Sequence, residues 1–186
     1  MSETLIKKFK CFWAWEDEQE QLWLQDMASQ GWHFKKRNML GIYSFIQGQP
    51  AQLAYRLDYV PVTKWNVPDV VEPDDSYQQL LIDAGWEHVF ETSGWQYWRM
   101  PVKQGQIPEI YTDAASKQMK YKRLLLGLCF WDFLLFFVIG NPMDTLQNWG
   151  HGWLAYIAVF GIALPAALHA AYSTVRVYLR IRQLRT

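Results

Sequence analysis

Trp23–Trp32 reads WLQDMASQGW, and Tyr77–Trp86 reads YQQLLIDAGW. In the second stretch Tyr77, Leu80, Leu81 and Ala84 recur at i, i+3, i+4 and i+7, the spacing of one helix face. In the first, Trp23, Leu24, Met27 and Ala28 share a face that Leu22 does not. Both stretches close on Gly-Trp, where Gly31 or Gly85 can take the left-handed backbone that ends a helix. A strand pair is expected after each: Trp32–Arg37 with Ile42–Ile46 around Gly41, and Trp86–Glu91 with Trp95–Met100 around Ser93-Gly94. An aromatic strand precedes each helix, Phe9–Trp13 in one half and Tyr55–Tyr59 in the other. Residues 1–100 therefore predict an α+β domain of two strand-helix-strand-strand units, because each helix needs a sheet face to cover. The two helical stretches share only Gln25/Gln79 and the Gly-Trp pairs. Common origin and ordinary helix-stop chemistry both account for that.

The C-terminal part follows another pattern. Leu124–Ile139 runs sixteen residues with one charge, Asp132, and Trp153–Tyr172 runs twenty with none. With a neighbouring turn, each approaches a hydrocarbon layer of roughly 30 Å at about 1.5 Å per residue. Lys117, Lys120, Lys122 and Arg123 precede the first segment and Arg176, Arg180, Arg182 and Arg185 follow the second, whereas 140–152 holds no Lys or Arg. That charge pattern predicts a two-pass cell-membrane protein with both termini cytosolic. Trp149 and Trp153 would lie at the outer interface, and Tyr121, Tyr172 and Tyr178 at the inner one. The expected organisation is a cytosolic α+β domain over 1–100 and a linker with a juxtamembrane helix, capped by Asp113, over 101–120. An all-α two-helix transmembrane hairpin over 121–175 and a basic cytosolic tail over 176–186 complete it. The alternative is a pair of helices buried in a soluble core. Met1–Lys10 carries three lysines and no apolar run, so no secretory signal is expected.

The formal net charge of zero hides a split: residues 1–110 carry ten Lys/Arg against fifteen Asp/Glu, and residues 111–186 carry eight against three. An acidic head has no general attraction for phosphate backbones, which argues against direct nucleic-acid binding. Cys11 and Cys129 are far apart and imply neither a disulfide framework nor a zinc ligand set.

Lys8-Phe9, the run Glu20-x-x-Trp23-Leu24-x-x-Met27-Ala28-x-x-Gly31-Trp32, Tyr43-x-Phe45, Tyr55-Arg56-x-Asp58-Tyr59, and Ala84-Gly85-Trp86 with Trp95-x-Tyr97 together form a pattern. In these residues the chain resembles an uncharacterised bacterial family, a domain of unknown function found mainly in Firmicutes. The resemblance implies a cytosolic aromatic-rich module joined to C-terminal membrane helices. It also implies a regulatory role, since such proteins often accompany small winged-helix repressors. It carries over no catalytic residues.

No phosphate-cradling glycine loop, nucleophile elbow, zinc helix or paired Cys-x-x-Cys is present, so no catalytic residue, metal or cofactor is expected. His33 and His88 each follow a Gly-Trp and are either strand residues or a pair meeting across the two halves. Glu16, Asp17, Glu18 and Glu20 cluster where a helix starts, and complementing its dipole is their expected role. Trp13, Trp32, Trp86, Trp95 and Trp98, together with Trp15 and Trp65, exceed what one small core needs. The first five are candidates for a ligand- or partner-binding face, the alternative being core. Within the hairpin, Asp132 and His169 lie at similar depth and are candidates for an intramembrane polar pair; the alternative is a protonated Asp132 bonded to backbone. Small residues at Ala163, Ala166, Ala167, Ala170 and Ala171 suit close helix packing or homo-oligomers.

The expected function is a membrane-anchored, non-enzymatic regulatory or adaptor protein whose head binds a protein or small ligand. Its expected partners are membrane lipid, a protein such as a transcriptional regulator, and a second copy of itself. A small transport or efflux component, working as an oligomer or beside a larger permease, is the alternative.

Overall fold

A computed structural model describes residues 4–60, 75–103, 108–111, 114–138, 161 and 164–184. The chain divides into two compact units, Met1–Lys120 and Tyr121–Thr186. The first contains β1 (Leu5–Phe9), α1 (Asp17–Ser29), β2 (Trp32–Arg37) and β3 (Ile42–Gln47), then β4 (Leu53–Tyr59), α2 (Asp75–Asp83), β5 (Glu87–Thr92) and β6 (Trp95–Pro101). Two further helices are described, α3 (Ala114–Val138) and α4 (Leu164–Gln183). The architecture is α+β, with two three-stranded antiparallel sheets ordered β1-β3-β2 and β4-β6-β5.

The two halves match beyond their helices. In β2 the register shifts between Phe34 and Lys36, and in β5 between His88 and Phe90. Counted from Trp32 and Trp86, the bulge occupies the same position in both strands. A bulge leaves one residue unpaired and bends its strand. A second shared device sits at the hairpin turns. The residue after each first strand donates its N–H to a turn glycine, Lys10 to Gly41 at 2.9 Å and Val60 to Gly94 at 2.7 Å. Gly41 and Gly94 have φ of +77° and +80°, and a Cβ on either would lie 2.7 Å from the carbonyl oxygen of Lys10 or Val60. Glycine is thus required twice over, by conformation and by space. The helices end as their Gly-Trp signals predict, with positive φ at Gly31 and Gly85.

The first strand lies earlier than the aromatic run Phe9–Trp13 suggests. β1 pairs with β3 until Phe9 faces Ile42, and Gly41 then closes the turn. Residues 13–16 instead form the entrance to α1: Glu16 N–H donates to the Trp13 carbonyl at 2.9 Å, and Trp13 N–H donates to Glu16 Oε2 at 3.0 Å.

The sheets meet through β2 and β5, and α1 packs on both β2 and β4. Phe34 is the aromatic hinge of that contact, with ring centroids 5.0 Å from Tyr97 and 6.1 Å from both Phe45 and Phe90. A second core holds Ala54, Leu81, Trp86 and Trp98 under α2.

The transmembrane hairpin expected over 121–175 is corrected, and with it the two-pass membrane location. Among the described residues no helix is long and apolar enough to cross a membrane. The first ten residues of α3 include Lys117, Lys120, Lys122 and Arg123, which leaves fifteen, Leu124–Val138, still containing Asp132. A span needs about 20 predominantly apolar residues. In α4, Arg176, Arg180 and Arg182 occupy the second half. The loop 140–152, with Trp149, and half of the second apolar segment, with Trp153 and Ala163, lie outside the described residues, as do Trp65 and the Asp113 cap. Within the second unit Tyr121, Leu124, Val177 and Ile181 are buried.

Candidate functional site

The buried stripe of α1 does not stop at Leu24. Continued toward the N-terminus at helical spacing, it passes through Gln21, Glu20 and Asp17, and these are buried together with Leu24, Met27 and Ala28. Half of the stripe is polar, so partners must replace the water these groups lose.

Glu20 finds its partners on three strands. Its Oε1 accepts from Tyr43 Oη at 2.7 Å, Tyr97 Oη at 2.6 Å and Arg37 Nη1 at 3.1 Å. Arg37 Nη1 also donates to Tyr43 Oη at 3.0 Å. Burial first, and the Glu20 carboxylate next, push both tyrosines well above the ordinary tyrosine range. Burial opposes the charge on Arg37, but Tyr97, Glu20 and Tyr43 outweigh it and hold that group above the ordinary arginine range. Since Tyr97 comes from the second sheet and the others from the first half, the cluster ties the two halves together.

Asp58, fully buried on β4, has a similar environment. It accepts from Tyr77 Oη at 2.7 Å, from Tyr111 Oη, and from the Tyr59 N–H at 2.7 Å. Asp17 is bound by a residue far along the chain: Lys120 Nζ lies 2.6 Å from its Oδ2, with both side chains almost completely buried. The same ammonium donates to the Leu57 carbonyl at 3.3 Å and lies 5.7 Å from the Tyr111 ring centre.

Beside these pairs opens a cleft of about 310 Å³ bounded by α1, β4, residues 109–111 and the first turns of α3. Its charged lining is Glu18, Arg56, Glu109, Lys117 and Lys120. Leu22, Leu57, Ile110 and Tyr111 make the apolar part, with Gln21 and Gln25 between. Arg56 holds Glu109 through both Nε (3.1 Å) and Nη2 (2.7 Å), and Lys117 holds Glu18 at 2.8 Å. Paired charges beside an apolar wall suit recognition of a small polar ligand or a peptide side chain.

The tryptophans named from sequence do not assemble on one face. Trp86, Trp95 and Trp98 are buried, Trp86 and Trp98 in the core under α2. Trp32 is half-buried. Trp13 is exposed and stacks on Trp15, with centroids 5.6 Å apart and planes 6° from parallel. His33 Nε2 lies 2.9 Å from the Gln49 carbonyl, while the His88 ring packs on Trp98 at 4.9 Å. Among the described residues no group of three or more His, Cys, Asp or Glu could hold a metal ion. Cys11 and Cys129 are exposed free thiols. The side chain of Asp132 lies outside the described residues, so the pairing with His169 does too; His169 is exposed.

Sequence reasoning gives Asp17, Glu20, Arg56, Asp58 and Lys120 no place in a site and does not name Glu109. A signal for two of them existed, because Asp17 and Glu20 continue the stripe of Leu24, Met27 and Ala28 at helical spacing. Glu109 and Lys120 had none, as their partners lie 53 and 103 residues away.

The head is a two-half α+β domain with a cleft bounded by α1, β4, residues 109–111 and the first turns of α3. The chain belongs to a family described as a protein of unknown function (DUF2812), whose model matches residues 16–133, more than half of its length. No curated protein and no solved structure matches it.

Proposed function

We propose that this protein is a non-enzymatic regulatory or adaptor protein whose α+β head binds a small ligand or a segment of a protein partner in the cleft between α1, β4 and α3. The observation carrying this reading is the place of Lys117 and Lys120. Both line the cleft and both stand in the first turns of a helix that continues to Val138. An occupant that prefers one setting of these lysines over another would bias α3, and a ligand shifts an equilibrium only through such a difference. The regulatory context that the family resemblance implies, beside bacterial winged-helix repressors, agrees with this role. A transport role rested on Asp132 at mid-membrane and is not carried forward.

The test is in-cell photo-crosslinking of the full chain with the reactive side chain at Gln25, in the cleft, or at Met39, an exposed position in the β2–β3 turn. The expected result is a discrete adduct from Gln25 that Leu22→Trp, a substitution filling the cleft mouth, abolishes. Equal adducts from both positions, unaffected by Leu22→Trp, would refute a cleft-directed adaptor.

A further inference from the structure

Three cations line the cleft, and their carboxylate partners differ in exposure. Asp17, which holds Lys120, is 1% exposed; Glu18, on Lys117, is 42% exposed; Glu109, on Arg56, is 58% exposed. The Arg56 side chain itself is only 9% exposed. A guanidinium stripped of most of its water is therefore neutralised by a carboxylate that remains mostly in solvent.

From this asymmetry we infer that the cleft takes a small organic carboxylate with an apolar body, for which Glu109 is a built-in stand-in. The inference rests on reading the cleft as a binding site and names the chemistry of its ligand. Arg56 presents two edges. Nη1 donates to the Tyr55 carbonyl at 2.7 Å, an anchor within β4 that keeps the guanidinium in place. Nε and Nη2 form the planar fork that Glu109 fills with both oxygens. An incoming carboxylate reproduces the same two parallel bonds, the arrangement for which arginine is pre-organised. The fold has already desolvated Arg56, so the exchange leaves no buried charge unpaired, and the Glu109 carboxylate leaves for water it largely keeps. Withdrawal of Glu109 takes one negative charge out of the cleft lining, and a bound monoanion restores it beside Arg56. Beside the fork Leu57 and Ile110 offer apolar surface, and Leu22 stands exposed at the rim. These residues accept a hydrocarbon or aromatic body rather than a second charge. The volume, about 310 Å³, is at the small end of ligand sites.

The experiment titrates the full-length protein with benzoate and octanoate, using benzamide as the uncharged counterpart, and follows binding by calorimetry. Glu109→Gln removes the competitor at an exposed position and leaves the Arg56 fork. The expected result is that both carboxylates bind, that Glu109→Gln tightens them about two- to fivefold, as the loss of a partly screened ion pair implies, and that benzamide does not bind. Arg56→Lys, checked for unchanged near-ultraviolet circular dichroism, keeps the charge but loses the fork and is expected to weaken binding about tenfold or more. Equal carboxylate affinity in wild type and Glu109→Gln would overturn the inference. So would the absence of carboxylate binding to either protein. Benzamide binding as well as benzoate would overturn it too, while leaving the cleft a binding site. Loss of cleft-specific crosslinking in cells would instead count against the adaptor reading.

Discussion

Replacing Glu20 with alanine removes the acceptor on which three donors converge. Tyr43 and Tyr97 are fully buried, and the Arg37 side chain is 20% exposed. Their hydroxyls and the guanidinium then lose a partner together, and removing one member of a buried ion pair costs about 3–5 kcal/mol because the other charge is left uncompensated. Tyr97→Phe takes away one hydrogen bond to a charged acceptor, at 2.6 Å, and a bond of that kind contributes about 1.5–3 kcal/mol. In the double variant the Tyr97 hydroxyl has no Glu20 to bind, so its removal relieves an orphaned group. The two losses are expected to fall short of additivity by about 2 kcal/mol. Glu18→Ala is the control, since its pair with Lys117 is only part-buried and worth about 1 kcal/mol or less. Urea unfolding of the full chain is followed by hydrogen-exchange mass spectrometry of β3 and β6 peptides, which reports the head separately from residues 121–186. A Tyr97→Phe cost below about 0.5 kcal/mol, with Glu20→Ala no worse than Glu18→Ala, would show that the cluster does not hold the two halves together.

Other outcomes follow from the same structure. Lys120→Met leaves Asp17 buried without its cation and should cost about 3–5 kcal/mol, whereas Asp17→Leu combined with Lys120→Met should recover most of that, as measured by denaturant midpoints. Gly94→Ala should cost about 1–3 kcal/mol, because it strains a positive φ and meets the Val60 carbonyl; Gly85→Ala, whose added carbon meets only the end of Met100, should cost less. Thermal midpoints of the two variants separate these cases. The tyrosines give an alkaline signature. Folding raises Tyr43 and Tyr97 above their ordinary value, so their contribution is complete below about pH 10, where the unfolded chain still holds its protons, and declines as pH rises further. Urea stability should be flat from neutral to about pH 10 and then fall by up to about 1.4 kcal/mol per pH unit for each tyrosine. Tyr97→Phe should reduce that slope by about one proton.

The parts of this protein legible from its residues are those decided locally. Helical spacing and the Gly-Trp stops located α1 and α2, and turn glycines located the strand pairs, because helix ends and hairpins depend on neighbours a few residues away. The apolar run of α3 is legible as well, but the charge pattern alone reads its polar first turns as the basic flank of a membrane segment. The structure places Lys117 and Lys120 against α1 instead. Aromatic count was a poor guide to a binding face, since burial, which composition does not reveal, placed Trp86, Trp95 and Trp98 inside.

What composition and spacing establish here is a two-half α+β head, with its glycine turns, and an acidic helix entrance. Only the folded chain decides that this entrance is interior, since Tyr97 is 77 residues from Glu20 and Lys120 is 103 from Asp17. A carboxylate in a first helical turn is stable in solvent, where it complements the helix dipole, and equally stable inside if donors meet it. The two states are indistinguishable until the distant donors arrive, and in this protein their arrival also builds the cleft.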